Sequence, residues 1–242
     1  VLKLFGEVYS DFKITDYWFR LSLPDFEKKE KYGDIEDKAM WEESILVAKD
    51  ALDSYGAKYV EGIGEATFYG PKIDVQIKNV LDKEDTIATA QVDFYSAKRF
   101  DLFFTNEKGE KERPVIIHRA IMGSFDRFFA FLTEKTAGNF PLWLSPVQTV
   151  IISVSEKFSD YGKKVLGELK QAGIRAELND DNETLGKRIR NAETKKIPYI
   201  LVVGEKETAS ESVAVRSRSK DEGTQKTADF IQKIQKEILE KI

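Results

Sequence analysis

Residues Pro114–Arg127 read PVIIHRAIMGSFDR. An extended apolar run ends at His118, the only histidine in the chain, and Gly123-Ser124 then opens a helix with Arg127 in its first turn. Strand followed by helix in this order brings three kinds of group into one short span. They are an imidazole able to ligate a metal, two positions where the backbone can be approached closely, and a fixed cation.

Upstream, hydrophobic and polar residues alternate. Over Lys72–Val80, Ile73, Val75 and Ile77 point one way and Lys72, Asp74, Gln76 and Lys78 the other. Over Ile87–Phe94, Ala88, Ala90, Val92 and Phe94 oppose Thr89, Gln91 and Asp93. Phe100–Asn106 and Arg113–His118 read as two more strands joined by a polar turn. Consecutive strands with short connections predict an antiparallel sheet. Before them, Trp41, Ile45, Ala48, Leu52 and Tyr55 recur at steps of four and three, which predicts an amphipathic helix over Met40–Tyr55. After the junction, a helix from Ser124 to Thr136 is expected to bury Phe125, Phe128, Phe129 and Leu132, with Gly138 as its stop. Residues 1–38 receive no role.

Two prolines in Phe140–Pro146, FPLWLSP, break regular structure and mark a domain boundary, giving domains 1–143 and 144–242. Beyond it, strands are expected at Thr149–Val154, Arg175–Leu178, Tyr199–Val203 and Ser212–Ser217. Helices are expected at Lys157–Ala172, Thr184–Lys195 and Ala228–Ile242. The expected architecture is an α+β domain on an antiparallel sheet, followed by a small α/β domain with a mixed sheet. No run of some 18 apolar residues spans a bilayer, so no membrane partner is expected. Zero cysteines rule out a disulfide framework and, with no secretory signal, favour the cytoplasm. A net charge of −4 argues against a generally sticky nucleic-acid binder but leaves room for a local basic face. There is no Walker-type P-loop, no Gly-rich dinucleotide fingerprint and no cysteine nucleophile.

Taken alone, each candidate group has an ordinary reading. The polar strand faces around Lys72 and Thr89–Gln91 can line a pocket or face water. His118 beside an apolar run can be a structural residue, and Gly123-Ser124 can be a helix cap. The basic residues Lys187, Arg188, Arg190, Lys195, Lys196, Arg216, Arg218 and Lys220 can be a solvated face.

The sequence also carries a resemblance. HRAIMGSFDR followed by FPLWLSPVQ is similar to motif 3 of the class II aminoacyl-tRNA synthetases, and the surrounding residues resemble the threonyl-tRNA synthetases. The likeness runs from about Trp41 to the C-terminus. It implies that Tyr69-Gly70-Pro71-Lys72 contributes to a threonyl-adenylate pocket floored by Thr89 and Gln91, with Lys72 neutralising phosphate charge. It implies that Gly123 and Ser124 let the adenine of ATP lie against the backbone, and that Arg127 orients the nucleotide. His118 falls where the family has a zinc ligand; with no cysteine and no second histidine, no zinc is expected in this chain, although ATP with Mg2+ and Zn2+ serves the intact enzyme. Where many relatives read Gln-Cys-Gly-Thr, this chain reads Thr86-Ile87-Ala88-Thr89, and Thr86 is too short to replace that glutamine's nucleotide contact.

In the second domain the resemblance is to the anticodon-binding module shared by the threonyl, prolyl, histidyl and glycyl enzymes. It implies that Asn182, Lys196, Glu207 and Arg216 contact anticodon bases. The expected activity is threonine–tRNA ligation, with threonine, ATP and tRNA-Thr as partners and a homodimer as the family's assembly. Val1 is not a methionine, and motifs 1 and 2 find no match here. The chain is therefore expected to be a C-terminal part, inactive alone. The rival expectation is a non-catalytic nucleic-acid-binding module derived from such an enzyme.

Overall fold

A computed structural model describes residues 1–32, 38–218 and 220–242. Its first unit, Val1–Lys135, runs in chain order through α1 (Leu2–Asp11), β1 (Tyr17–Leu23), α2 (Lys29–Tyr32), α3 (Lys38–Tyr55) and β2 (Tyr59–Ile63). It continues with β3 (Lys72–Lys78), β4 (Glu84–Asp93), α4 (Tyr95–Arg99), β5 (Phe104–Thr105), β6 (Lys111–Glu112), β7 (Ile116–Ala120) and α5 (Phe125–Thr136). The main sheet has the order β2-β1-β3-β4-β7. Its pairings are antiparallel except β1 with β2. The alternation read from the sequence places Ile73, Val75, Ile77, Ala88 and Ala90 in one buried cluster with Phe19 and Leu21 of β1. Leu2, Phe5 and Tyr9 of α1, Ala48 and Leu52 of α3, and Phe128 of α5 complete that cluster. Each valine, leucine, isoleucine or phenylalanine among them contributes about 1.5–3 kcal/mol by leaving water.

The structure departs from the sequence reading at three places in this unit. Residues 1–38, which carry no recognised motif, supply α1 and the internal strand β1; residues 33–37 of that stretch lie outside the described residues. Phe100–Asn106 is not a strand of the sheet. Tyr95–Arg99 is helical, and β5 pairs only with β6 in a two-residue ladder. Phe100, Leu102, Phe103 and Phe104 are exposed, because the FDLFF run has no alternating polar partner to give it a buried face. The Arg113 guanidinium instead caps the Phe103 ring at 4.3 Å. In α5, Phe128 and Leu132 are buried as expected, but Phe125 and Phe129 are 80% and 52% exposed and stack on each other. The helix turns one narrow stripe inward, and the adjacent i,i+4 pair falls outside it.

The second unit, Thr136–Ile242, opens with a 3-10 turn at Leu142–Leu144. It continues through β8 (Thr149–Ser153), α6 (Ser159–Gln171), β9 (Ala176–Asn179), α7 (Leu185–Thr194), β10 (Tyr199–Val203), α8 (Glu205–Ser210), β11 (Ser212–Ser217), β12 (Lys220–Lys226) and α9 (Thr227–Leu239). The sheet order is β12-β11-β10-β8-β9, with β8 parallel to β9 and β10, and β11 and β12 antiparallel additions. Successive residues of β8 split between two cores. Ile151 joins Val165 and Leu169 of α6 and Phe230 and Ile234 of α9, while Val150 and Ile152 join Ala192 of α7. The result is a three-layer α/β arrangement, as the alternating pattern predicts.

FPLWLSP belongs to this second unit. Leu142 is buried in its core, Gln148 Nε2 donates to the Leu142 carbonyl at 3.0 Å, and Arg218 donates to the Phe140 carbonyl at 2.9 Å. The units divide at Lys135/Thr136 rather than at 143/144. The helix ends at Thr136, where Ala137 and Gly138 turn to positive φ, and the prolines that follow do not detach the segment. Among the described residues, no helix is long and apolar enough to cross a membrane.

Candidate functional site

Register across β3, β4 and β7 aligns Lys72 with Gln91 and Gln91 with His118. Directly opposed residues share a sheet face at about 5 Å spacing, so these three side chains form a row. Tyr69 joins it from the preceding turn, donating its hydroxyl to Gln91 Oε1 at 2.5 Å, with its ring centre 5.8 Å from that of the imidazole. Gly70 makes that turn, because a Cβ there would lie 1.7 Å from the Val92 carbonyl oxygen of β4. Tyr69, Lys72, Gln91 and His118 are thus brought together.

Beside the row, on the same sheet face, lie buried polar groups. Asp74 is 2% exposed and accepts from Lys72 Nζ at 2.5 Å and from Ser22 Oγ at 2.7 Å. Gln76 Nε2 donates to the Thr86 hydroxyl at 2.7 Å, so the short residue in place of the family glutamine is already engaged. Asp93, also buried, lies with Oδ2 2.8 Å from His118 Nε2 and accepts from the Ser96 amide at 2.8 Å and hydroxyl at 2.6 Å. Burial alone would raise the Asp93 carboxyl. The contacts from His118 and Ser96 outweigh it and hold the group below the usual carboxylate range. Thr89 aligns with Asp74 and Ala120, and its hydroxyl oxygen is sealed from solvent with no partner among the described residues. Sequence reading did not assign Asp74, Asp93, Ser22 or Ser96 to the site. The strand alternation that exposed Lys72 and Gln91 also put both aspartates on the same face, and that was the available signal.

The helix junction is built differently. Gly123 sits at φ +59, and a Cβ would stand 2.6 Å from the Ile87 carbonyl oxygen, so packing against β4 by itself demands glycine here. Ser124 Oγ accepts from the Arg127 amide at 3.4 Å, a weak cap. The Arg127 guanidinium is exposed and forms no ion pair among the described residues. Neither Ser124 nor Arg127 makes a hydrogen bond to the Lys72–Gln91–His118 row. A zinc ion needs three or four protein ligands. Among the described residues, no group of three or more His, Cys, Asp or Glu can hold a metal, so these residues do not fit zinc by themselves.

In the second unit, Asn182 precedes α7 in an exposed loop and exposed Lys196 follows its C-terminus. Arg216 pairs in register with Ile200, the residue packed beneath α7, and its guanidinium lies 4.0 Å from Glu193 of that helix. Its Nε is buried with no partner among the described residues. Glu207 accepts from the Gly204 amide at 3.0 Å and so helps cap α8. Arg188 leaves the expected basic face. It is buried, donating to the Asn179 and Ser153 carbonyls at 3.2 and 2.8 Å, and Lys187 is paired with Glu183 at 2.7 Å.

Residues 1–136 match the family described as tRNA synthetase class II core domain (G, H, P, S and T). The chain belongs to the class II tRNA synthetases. Residues 148–237 of this synthetase chain match the family described as anticodon binding domain. Over 240 residues it is 49% identical to a threonine–tRNA ligase of Listeria monocytogenes and 48% identical to one of Staphylococcus carnosus. In both, 98% of this chain aligns with 37% of the relative. Among solved structures it is similar to the RNA binding domain of threonyl-tRNA synthetase from Cryptosporidium parvum, with a TM-score of 0.86 and 33% identity over 97% of this chain and 58% of that one. It is also similar to putative threonyl-tRNA synthetase ThrRS-1 from Aeropyrum pernix, with a TM-score of 0.74 and 26% identity over 99% and 59%. The resemblance to the threonyl enzymes and the two-part fold are therefore borne out. The synthetase chain spans just over a third of the length of the curated relatives.

Proposed function

We propose that this chain supplies one wall of the aminoacyl-adenylate pocket and the anticodon-reading module of a threonine–tRNA ligase. What carries the reading is the row of Tyr69, Lys72, Gln91 and His118 beside buried carboxylates of the same sheet face. In that chemistry a threonine carboxylate oxygen attacks the α-phosphorus of ATP and pyrophosphate leaves. The threonyl group then passes to the terminal adenosine of tRNA-Thr. Gln91, oriented by Tyr69, offers a polar group for the amino acid. Lys72 and Arg127 offer cations for the phosphates. Lys72 is held by Asp74, so it acts as a fixed charge rather than a searching one. ATP with Mg2+, threonine, a homodimeric assembly and a cytoplasmic location belong to the same proposal, as does Zn2+ in the whole enzyme.

The residues of this chain alone are proposed to bind RNA without activating threonine, since one imidazole cannot hold a metal. Asn182, Lys196, Glu207 and Arg216 are proposed to meet the anticodon loop, where amide, carboxylate and guanidinium groups read unstacked bases. Threonine-dependent ATP–pyrophosphate exchange by the full-length gene product tests the ligase reading. Lys72→Ala is expected to lower that exchange by roughly two orders of magnitude. Exchange driven better by another amino acid would overturn the substrate assignment, and exchange by this chain alone would overturn its dependence on further residues.

A further inference from the structure

β8 and β9 run parallel and end side by side at Ser153 and Asn179. From there the chain turns to α6 on one face of the sheet and to α7 on the other. Parallel neighbours whose connections part in this way open a crevice beyond their carboxyl ends. Arg188 of α7 fills it. The residue is 6% exposed, and its guanidinium donates to the Ser153 carbonyl at 2.8 Å and to the Asn179 carbonyl at 3.2 Å.

Packing does not explain an arginine here. Arg188 forms no ion pair among the described residues, and its Nε is buried with no partner among them. A buried cation without a counter-ion costs more than a well-packed apolar side chain of similar volume. What the guanidinium adds is reach in two directions from one rigid plane. One nitrogen ties α7 to the last residue of β8, and another ties it to the last residue of β9. The second bond closes the base of the loop that joins β9 to α7. Two local contacts shape the rest of that loop. The Asn179 side-chain oxygen accepts from the Asp181 amide at 3.2 Å, and the Thr184 hydroxyl caps α7 by accepting from the Lys187 amide at 3.3 Å. Exposed Asn182 stands between these two turns.

We propose that Arg188 is a positioning residue for RNA recognition. It holds the loop of Asn182 against the ends of β8 and β9, so that the Asn182 amide meets an unstacked base in one fixed orientation. A loop left loose at its base would have to be ordered on binding, and affinity would fall by that cost. This role rests on the proposed anticodon contact of Asn182, and it adds a residue that touches no RNA.

A double-mutant cycle separates positioning from general support of the fold. Fluorescence anisotropy of the full chain with a stem-loop bearing the threonine anticodon gives four affinities: native, Asn182→Ala, Arg188→Met and the pair. Methionine keeps an unbranched side chain and removes both donors. Asn182→Ala is expected to weaken binding roughly fivefold, the worth of one neutral hydrogen bond. Arg188→Met is expected to weaken the native chain by a similar factor and to weaken Asn182→Ala no further. A general loosening of the unit would lower affinity equally in both backgrounds, and that result overturns the proposal, as does native affinity in Arg188→Met. Native affinity in Asn182→Ala overturns the anticodon contact itself, and the positioning role with it. Should Arg188→Met fail to fold, Arg188→Lys takes its place, since it keeps the charge on a single nitrogen that cannot fork across both carbonyls. A loss that appears only where Asn182 is present then supports the proposal, and an equal loss in both backgrounds, or none, overturns it.

Discussion

The buried carboxylate of Asp74 holds the ammonium of Lys72 at 2.5 Å from a position two residues along the same strand, and a third group, the Ser22 hydroxyl, closes on the same oxygen. Residues i and i+2 of a strand share a face, so this pairing is available without any bend in β3. Its asymmetry is informative. Lys72 keeps 20% of its side chain exposed, whereas Asp74 keeps 2%. Removing the lysine strands a charge with almost no water to stabilise it. Lys72→Ala is expected to cost about 3 kcal/mol, and Asp74→Asn, which keeps an acceptor for both partners, about 1–2 kcal/mol. Urea unfolding of the two variants checks the order. Equal or reversed costs would show that the pair does not hold this face together.

The helix after the junction predicts a contrast between neighbours. Phe128 is buried in the first core and meets the Phe12 ring edge-on at 5.0 Å. Phe129, one residue on, is half exposed and stacks on Phe125. Phe128→Ala should cost about 3–5 kcal/mol, while Phe129→Ala should stay within roughly 1 kcal/mol. Thermal or urea unfolding distinguishes them. A large loss at Phe129 would mean that the stacked pair packs against more than is seen.

Two glycines are required by close backbone contacts with β4. At Gly123 a Cβ would press on the Ile87 carbonyl oxygen at positive φ. Gly123→Ala is therefore expected to cost on the order of 1–3 kcal/mol with no nucleotide present. Gly70→Ala, with a contact of 1.7 Å to the Val92 carbonyl, should be worse. Unfolding in ligand-free buffer decides the matter. An unchanged midpoint for Gly123→Ala would return the explanation to close approach of a nucleotide.

A carboxyl in the second unit sets an acid limit. Burial alone would raise Glu222, but the Lys233 ammonium at 2.6 Å and the Ser217 hydroxyl at 2.5 Å outweigh it and lower the group. A lowered folded-state value means that ionisation favours folding. This stability is present above the unfolded glutamate value of about 4.3 and is lost as pH falls through the lower folded value. The native chain should therefore lose stability on going from about pH 5 to pH 3 more steeply than Glu222→Gln. Parallel slopes in urea unfolding across that range would contradict the assignment.

Much of this was legible in the sequence because period-two patterns survive in β3 and β4, where one face is hydrocarbon and the other carries Lys72, Asp74, Thr89 and Gln91. The α/β alternation of the second unit was legible for a different reason, since β8 and β10 are buried on both faces and so read as continuous apolar runs between amphipathic helices. What escaped notice had physical causes. β1 carries the same alternation of Phe19 and Leu21 with Arg20 and Ser22, yet it stands among residues with no recognised motif. Buried Arg188 cannot be told from an exposed arginine by charge alone, since only the fold shows two carbonyls waiting for it. FDLFF reads as a strand by composition, but composition says nothing about whether a core lies beneath. Partner groups such as Ser96 become visible only when the backbone brings them round.

The second unit is proposed to read a particular RNA loop through Arg216 and its neighbours. Fluorescence anisotropy of the chain with a stem-loop bearing the threonine anticodon, against one with a replaced anticodon, measures it directly. Tighter binding of the first is expected, weakening with salt. Arg216→Ala should weaken it by roughly tenfold or more, the worth of one charged hydrogen-bonding group. Equal binding of both loops, or an Arg216→Ala chain that binds as the native one does, would contradict the account.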